Sequence, residues 1–221
     1  QASFLVLATK KGKVKKTALS NYANGRKRGL IAISLTPGDE LIGAGLCNEE
    51  DDLIFISKKG MSIRFCANND QLRPLGRQAA GVQAMKLKEG DEVISMKVVP
   101  GRPEDEKRKA FLLLATSQGF AKKTSLDKYK VQFRNGYGTK AMSMKDERGS
   151  VVGAVVLQED SDIFMPVLNT GKVIRFNSSE IKESGRVTQG VKAVDLDPGD
   201  EVTGAFKRTC ESHLLEDLIE F

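Results

Sequence analysis

The segment that decides the fold is the run Leu112-Leu113-Leu114-Ala115-Thr116-Ser117-Gln118-Gly119-Phe120-Ala121-Lys122-Lys123-Thr124. Its apolar first half has the length and composition of a strand that is buried on both faces. Gly119 can adopt the positive φ of a tight hairpin turn without strain. The second half alternates, so Lys123 points to one face of its strand and its neighbours point to the other. The segment therefore predicts a β-hairpin that carries a cation four residues after its turn glycine.

The same hairpin pattern occurs four times along the 221 residues. The turn glycines lie 48, 59 and 52 residues apart, and the glycine–cation pairs are Gly12 and Lys16, Gly60 and Arg64, Gly119 and Lys123, and Gly171 and Arg175. Each repeat then has a second glycine, at Gly29, Gly81, Gly138 and Gly190. A period of about 50 residues is typical of propellers and solenoids built from small sheets. We expect cations at equivalent positions to share one surface.

The predicted fold class is all-β, a propeller-like single domain over 1–221 that is built from four-stranded repeats. The repeats span about 1–52, 53–109, 110–160 and 161–208. The third strand of each repeat is expected just after the second glycine, at Leu30–Leu35, Val82–Leu87, Thr139–Met144 and Val191–Leu196. Residues 209–221 leave the repeat, and their apolar stripe beside four acidic residues predicts an acidic helix or tail.

Charge is distributed unevenly within each repeat. Lys and Arg exceed Asp and Glu by 35 to 29, which gives a net charge of +6. Residues 53–88 hold seven basic side chains and one acidic one, as do residues 110–145, whereas residues 39–52 hold six acidic side chains and no basic one. Positive potential is therefore expected on one part of each repeat.

The residue types argue against a catalytic centre. His213 is the single histidine, which excludes a His-based triad or a multi-histidine metal site, and the sequence contains no P-loop motif. We therefore expect no catalytic residue, metal or cofactor. Three widely spaced cysteines, and the lack of a signal peptide or an apolar run of membrane-spanning length, favour a cytoplasmic protein.

Taken together, these features resemble the C-terminal domain of the A subunit of bacterial type IIA topoisomerases, with DNA gyrase closest and topoisomerase IV a near relative. The resemblance rests on the Leu112–Thr124 run, on Gly185-Arg186-Val187-Thr188-Gln189-Gly190-Val191 and on Gly-Asp-Glu turns at Gly38, Gly90 and Gly199. It implies a β-pinwheel, typically of six blades, that bends duplex DNA around its outer rim. The implied partners are duplex DNA, the ATPase B subunit, plus the rest of the A subunit. The implied reaction of the holoenzyme is ATP-dependent negative supercoiling.

In gyrase an early blade carries the gyrase box, Q-R-R-G-G-K-G, which the family needs for wrapping. The nearest match here is Gln132-Phe133-Arg134-Asn135-Gly136-Tyr137-Gly138, which we call the box-like segment. Phe133 and Tyr137 replace basic residues and Asn135 replaces a glycine. The residues that match the box are Gln132, Arg134, Gly136 and Gly138.

The resemblance also implies which cations contact DNA. Bending a duplex costs about 1–6 kcal/mol by elastic estimates, and regularly spaced contacts to phosphates offset that cost. We expect contacts from the four shared cations, Lys16, Arg64, Lys123 and Arg175, and from cations in the connections between the second and third strands, Arg26, Lys27, Arg28, Arg73, Arg77, Arg134 and Arg186. Arg64 and Arg175 are flanked by Ile and Phe, so bracing of inter-blade packing is an alternative role for them.

Two alternatives to a gyrase domain remain open from the sequence. One is the equivalent domain of topoisomerase IV, which binds and orients DNA without strong wrapping. The other is a propeller-type scaffold for protein interactions, although the sequence lacks WD and kelch signatures.

Overall fold

A computed structural model describes residues 2–23, 29–101 and 109–208, which form four antiparallel sheets. The prediction of an all-β fold is confirmed. The strands of the first two repeats are β1 (Phe4–Thr9), β2 (Lys13–Ala18), β3 (Leu41–Cys47), β4 (Asp52–Ser57), β5 (Met61–Cys66), β6 (Val82–Gln83) and β7 (Val93–Val99). Those of the last two are β8 (Phe111–Thr116), β9 (Phe120–Ser125), β10 (Thr139–Lys140), β11 (Val151–Leu157), β12 (Asp162–Pro166), β13 (Val173–Asn177), β14 (Val191–Lys192) and β15 (Phe206–Lys207). The predicted acidic tail lies outside the described residues.

Each of the first three sheets takes one edge strand from the following repeat. The strand orders are β3-β1-β2-β6, β10-β5-β4-β7, β11-β8-β9-β14 and β13-β12-β15. The strand after the second glycine pairs with the hairpin of the preceding repeat, so the strands of one repeat are divided between two sheets. Within the described ranges, the fourth sheet has three strands, and Leu30–Leu35 forms none.

The exchanged strands are much shorter than predicted because their backbone leaves the ladder after two residues. The Gly12 carbonyl accepts the next two amides of the exchanged segment, those of Ala84 at 2.8 Å and Met85 at 3.2 Å. The carbonyls of Gly60 and Gly119 accept the equivalent pairs of amides in the next two repeats. The carbonyl of each hairpin glycine thus fixes where the exchanged strand ends.

Three apolar cores lie between the four sheets. The first strands of the first three hairpins are buried on both faces, as their unbroken apolar runs predict, whereas in β12 Ile163 and Met165 are buried and Phe164 is half-buried. In β4, Leu53 and Phe55 pack into the core shared with the first sheet, whereas Ile54 and Ile56 pack into the core shared with the third. A third core joins the last two sheets. Each core is therefore completed by two consecutive blades.

The strands β3, β7, β11 and β15 form the inner edge of the array, where consecutive sheets contact one another. Close approach there depends on glycine: a Cβ on Gly45 would lie 2.9 Å from Val98 Cγ2. The exchanged strands β6, β10 and β14 stand at the opposite edge of their sheets. We call the exchanged strands, the connections that precede them and the residues that follow them, as far as 88, 145 and 196, the outer edge, because the following residues lie against the connection of the next repeat.

The exchange depends on glycines that pass close to the preceding hairpin. Gly190 has a φ of +75°, and a Cβ there would lie 2.6 Å from the Ala121 carbonyl oxygen. We expect Gly190→Ala to lower the free energy of unfolding by about 2 kcal/mol, through backbone strain and displacement of β14. Chemical denaturation measures the effect. The matched control is Gly76→Ala, where nothing lies within 4 Å of the added methyl. An equal loss in both variants would contradict the role of the close approach.

Candidate nucleic-acid interface

Two of the four shared cations are buried at a blade boundary. Lys16 is 0% exposed, and its amine donates to the Ala67 carbonyl at 2.6 Å and to Asn69 Oδ1 at 3.1 Å. Lys123 is 8% exposed, and its amine donates to the Ser178 carbonyl at 2.9 Å and pairs with Asp160 at 3.0 Å. The prediction that these lysines present charge on an outer surface is wrong, because the next repeat covers both of them.

The two arginines at this position behave differently from each other. Arg64 pairs with Asp52 at 2.7 Å and donates to the Leu126 carbonyl at 2.8 Å, so it braces consecutive blades as the alternative proposed. Leu126, like the carbonyl acceptors of Lys16 and Lys123, lies seven residues after the turn glycine of the following repeat. Arg175 belongs to the last repeat; it pairs with Asp162 at 2.6 Å, and its side chain stays 62% exposed. The four cations thus share a position in the repeat, but they do not form one exposed track.

The cross-strand neighbour changes with the identity of the cation. The Lys16 amine lies 4.5 Å from the centroid of the Phe4 ring, and the Lys123 amine lies 5.5 Å from that of Phe111. Asp52 and Asp162 occupy the same place beside the arginines, since all four residues pair with the position two after the cation. Lysine is accordingly matched by an aromatic face and arginine by a carboxylate.

A second pair of buried lysines was missed by the sequence reasoning. The Lys122 side chain is 1% exposed, and its amine donates to the carbonyls of Ala141 (2.6 Å), Gly185 (3.0 Å) and Arg186. Lys15 is 0% exposed and makes the equivalent contacts with Ala32, Gly76 and Arg77. The signal was available: two consecutive lysines on a strand must point to opposite faces, so both can be exposed only on a strand that is open on both sides.

Burial also affects how these amines titrate. Burial, and secondarily the like charge of Arg186, lowers the pKa of Lys122 to about 8. Burial and Arg77 lower the pKa of Lys15 in the same way. The pKa of Lys16 is lowered by burial, although the Glu49 carboxylate acts in the opposite direction. The carbonyl acceptors stabilise the protonated amines, which would otherwise be isolated charges in an apolar interior.

The arginines four residues before the second glycines clamp the outer edge. Arg77 donates to the Ile31 carbonyl at 2.9 Å, Arg134 to the Gln83 carbonyl at 3.0 Å, and Arg186 to the Lys140 carbonyl. Each acceptor lies two residues after the second glycine of the preceding repeat. All three arginines are half-buried. They hold each connection against the segment that follows the second glycine of the preceding repeat, and further guanidinium N–H groups remain available.

The remaining predicted residues fall into three groups. Arg73 is exposed at the outer edge. In the box-like segment, the backbone N–H of Gln132 donates to the Arg64 carbonyl at 2.8 Å. Gly136 lies against the Ile63 side chain, and Gly138, with a φ of +69°, lies against the Ser62 carbonyl. Arg26, Lys27 and Arg28 lie outside the described residues.

The outer edge carries most of the unpaired positive charge in the middle of the array. Residues 67–88 hold four basic side chains and one acidic one, and residues 126–145 hold five and one. Within the described ranges, no salt bridge involves the exposed cations of these two segments, Arg73, Lys86, Lys88, Lys128, Lys130, Lys140 and Lys145. In residues 178–196 basic and acidic side chains are equal in number, at three each.

The family model for the DNA gyrase C-terminal domain, a β-propeller, matches residues 3–48, 51–100, 110–158 and 169–207. The four matched segments follow the four repeats. The chain belongs to the DNA gyrase C-terminal domain family. The resemblance inferred from the glycine–cation repeats is thereby confirmed.

Full-length relatives in this family are considerably longer than the chain. The chain is 42% identical over 219 residues to the DNA gyrase A subunit of Mycolicibacterium smegmatis. This alignment covers 99% of the chain and 25% of that protein. The chain is 47% identical over 206 residues to the DNA gyrase A subunit of Streptomyces coelicolor, with 91% and 23% covered. The chain therefore spans about a quarter of the length of these relatives.

Two solved structures share the fold. The structure of a DNA gyrase A C-terminal domain superposes with a TM-score of 0.80 at 26% identity and covers 94% of the chain and 66% of that domain. The C-terminal domain of DNA topoisomerase IV gives a TM-score of 0.82 at 24% identity, with 94% and 62% covered. Among the described residues, no helix has the length and apolar character needed to cross a membrane.

The buried lysines lead to a test of stability. Lys122→Met removes the donor shared by the Ala141, Gly185 and Arg186 carbonyls and leaves them without that partner. We expect the free energy of unfolding to fall by about 3 kcal/mol in chemical denaturation. Lys172→Met is the matched control, since this exposed lysine makes one surface ion pair, with Asp197; its effect should stay within about 0.5 kcal/mol. Equal effects would show that Lys122 contributes no more than a surface lysine.

The lowered pKa of Lys122 gives the same substitution a pH dependence. Above pH 8 the folded protein releases this proton, whereas an unfolded lysine keeps it up to about pH 10.4. The unfolded state then binds more protons, so rising pH favours the folded wild type. Relative to Lys122→Met, its free energy of unfolding should rise by up to about 1.4 kcal/mol per pH unit in this interval. Denaturation curves at several pH values measure the difference; a constant difference would contradict the lowered pKa.

Proposed function

We propose that this domain binds duplex DNA along its outer edge as part of the A subunit of a DNA gyrase. The observation that carries the proposal is the outer edge of the middle repeats, where nine basic side chains accompany two acidic ones over residues 67–88 and 126–145. Cations that neutralise phosphates release condensed counterions, which supplies most of the affinity for duplex DNA. Membership of the gyrase family agrees with such a partner.

The buried cations act indirectly in this proposal. Lys16, Arg64 and Lys123 fix the spacing of consecutive blades, Lys15 fixes the connection that carries Arg73 and Arg77, and Lys122 holds the Ala141 carbonyl next to the exposed Lys140. Phosphate contacts come from Arg73 and the exposed lysines, together with the free N–H groups of Arg77, Arg134 and Arg186. Of the four shared cations, Arg175 alone keeps an exposed side chain for such a contact.

Bending of the bound duplex is the second part of the proposal. The outer-edge connections repeat from blade to blade, so a duplex that contacts several of them follows a curved path. Contacts to phosphates offset the elastic cost, and sequence preference comes from deformability rather than from base reading. In the cytoplasmic holoenzyme, with the ATPase B subunit plus the rest of the A subunit, wrapping of this kind would support ATP-dependent negative supercoiling.

A second candidate is the topoisomerase IV counterpart, in which the domain binds and orients DNA without strong wrapping; it is favoured by the box-like segment, where Phe133 and Tyr137 replace basic residues. The two candidates differ in topology. A wrapping domain changes the linking number of relaxed circles that are closed in its presence, whereas an orienting domain leaves it unchanged.

The exposed outer-edge cations provide the direct test of binding. Lys130→Glu combined with Lys140→Glu should weaken binding to a short duplex by about tenfold or more in fluorescence anisotropy. The slope of log K against log salt should become shallower by about 0.9 for each phosphate contact that is lost. Both residues are exposed, so folding should be unaffected.

The matched control for this test is Lys172→Glu, which makes the same charge change as each single outer-edge substitution, at the exposed hairpin turn of the fourth repeat. Its affinity and salt slope should remain close to those of the wild type. Equal weakening by Lys172→Glu and by each outer-edge substitution would show that net charge, and not the outer edge, determines binding. Absence of duplex binding by the wild type at low salt would favour the scaffold alternative.

A further inference from the structure

The box-like segment projects an apolar side chain from the outer edge. Phe133 is 82% exposed, the highest value among the large apolar side chains that the structure describes. Val131 and Tyr137, in the same connection, are 49% and 53% exposed. A phenylalanine that is almost fully in water contributes nothing to the core of its own domain. This patch therefore requires an explanation outside the packing of the blades.

The backbone on both sides of Phe133 is fixed. The backbone N–H of Gln132 donates to the Arg64 carbonyl at 2.8 Å, and the backbone N–H of Asn135 donates to the Ala84 carbonyl at 2.6 Å. Arg134 Nε donates to the Gln71 carbonyl at 2.6 Å. The aromatic ring is thus held at the tip of an anchored connection, and holding it against a ligand costs little additional backbone entropy.

The backbone conformation of the box-like segment depends on the strand residue that lies beneath it. In the second and fourth repeats the place of Phe133 is taken by Gly76 and Gly185, whose carbonyls turn inward to the amines of Lys15 and Lys122. The equivalent strand residue beneath Phe133 is Ile63, which has no amine to offer. The Ala84 carbonyl, which corresponds to the lysine acceptors Ala32 and Ala141, accepts the backbone N–H of Asn135 instead. Asn135 has a φ of +68° in this arrangement.

We propose that Phe133 is a wedge that inserts between base pairs of a duplex lying along the outer edge; this inference rests on the proposed function. Charge complementarity selects DNA over a protein surface, since residues 126–145 carry five basic side chains and one acidic one. Apolar wedges that enter the minor groove unstack a base step and kink the duplex. Flexible pyrimidine–purine steps, TA above all, lower the cost of such a kink. A basic residue at this position would contact a phosphate, whereas Phe133 would bend the duplex locally.

Phe133→Ala tests the wedge in the 221-residue chain. The probe is a duplex in which each TA step carries a fluorescent adenine analogue that brightens when it is unstacked. Wild-type protein should raise the fluorescence on binding, whereas the variant should bind about tenfold more weakly without a rise. The salt slope should be the same for both proteins, because no cation is removed. A Phe133→Ala protein that matches the wild type in affinity and fluorescence would overturn the proposal.

Two further variants sharpen the result. Phe206→Ala removes another exposed phenylalanine, 59% exposed on the inner-edge strand β15, and should behave as the wild type. Phe133→Arg restores the basic character of the box position; it should steepen the salt slope by about 0.9 and abolish the fluorescence rise. Duplex binding without any rise in the wild type overturns the wedge and leaves the proposed function intact. Failure of the wild type to bind duplex DNA overturns both, and a protein partner would then be the ligand of this patch.

Discussion

A buried cation that donates to backbone carbonyls of the next repeat is the interaction on which the array depends. Loop carbonyls at a blade boundary have no sheet partner, and an ammonium group in an apolar interior is unstable without acceptors. Lys16, Arg64 and Lys123 answer both requirements at once, because each donates to the carbonyl seven residues after the next turn glycine. Asp52 and Asp160 also pair with Arg64 and Lys123, but each of the three cations finds its carbonyl acceptor only in the next repeat. Consecutive blades therefore stabilise each other, as the exchanged strands β6, β10 and β14 also require.

The four repeats fall into two alternating types. The first and third have Lys-Lys on the second strand with phenylalanine beside the shared cation, and the second and fourth have Ile-Arg with aspartate. The difference between the two types extends to the connection of the next repeat. A glycine lies over the second-strand lysine of the first and third repeats, whereas Phe133 lies over Ile63 of the second repeat. These positions are linked by contacts at the blade boundary: Lys16 lies against Phe4, and Lys15 donates to the Gly76 carbonyl. The repeat of this protein is better described as two blades than as one.

The sequence patterns predicted the strands well and their partners poorly. Unbroken apolar runs such as Leu53–Ser57 identify strands that are buried on both faces, and the glycines locate the hairpins, because both signals are local. Strand exchange is not local: the alternation in Val191–Leu196 is compatible with any free sheet edge, and the carbonyl of Gly119 decides where the pairing stops. The burial of Lys16 and Lys123 was missed for the same reason, since a lysine on an alternating strand is expected to be exposed until the next repeat covers it. The half-buried arginines Arg77 and Arg186 were correctly located in the connections, but their carbonyl partners lie 46 residues away in the sequence.

Rigidity of the outer edge follows from these internal contacts and bears on how charge is used there. An exposed lysine on a mobile loop must be immobilised when it contacts a phosphate, which costs part of the electrostatic gain. Here the connections of the second and fourth repeats are fixed from beneath by Lys15 and Lys122, and those of the second, third and fourth repeats are fixed from the side by Arg77, Arg134 and Arg186. Neutral donors could satisfy the same carbonyls, but cations also add positive potential below the surface, where solvent and salt screen it less than at exposed side chains. The buried charges thus both build the curved edge and contribute to its field, although none of the buried lysines needs to touch a phosphate.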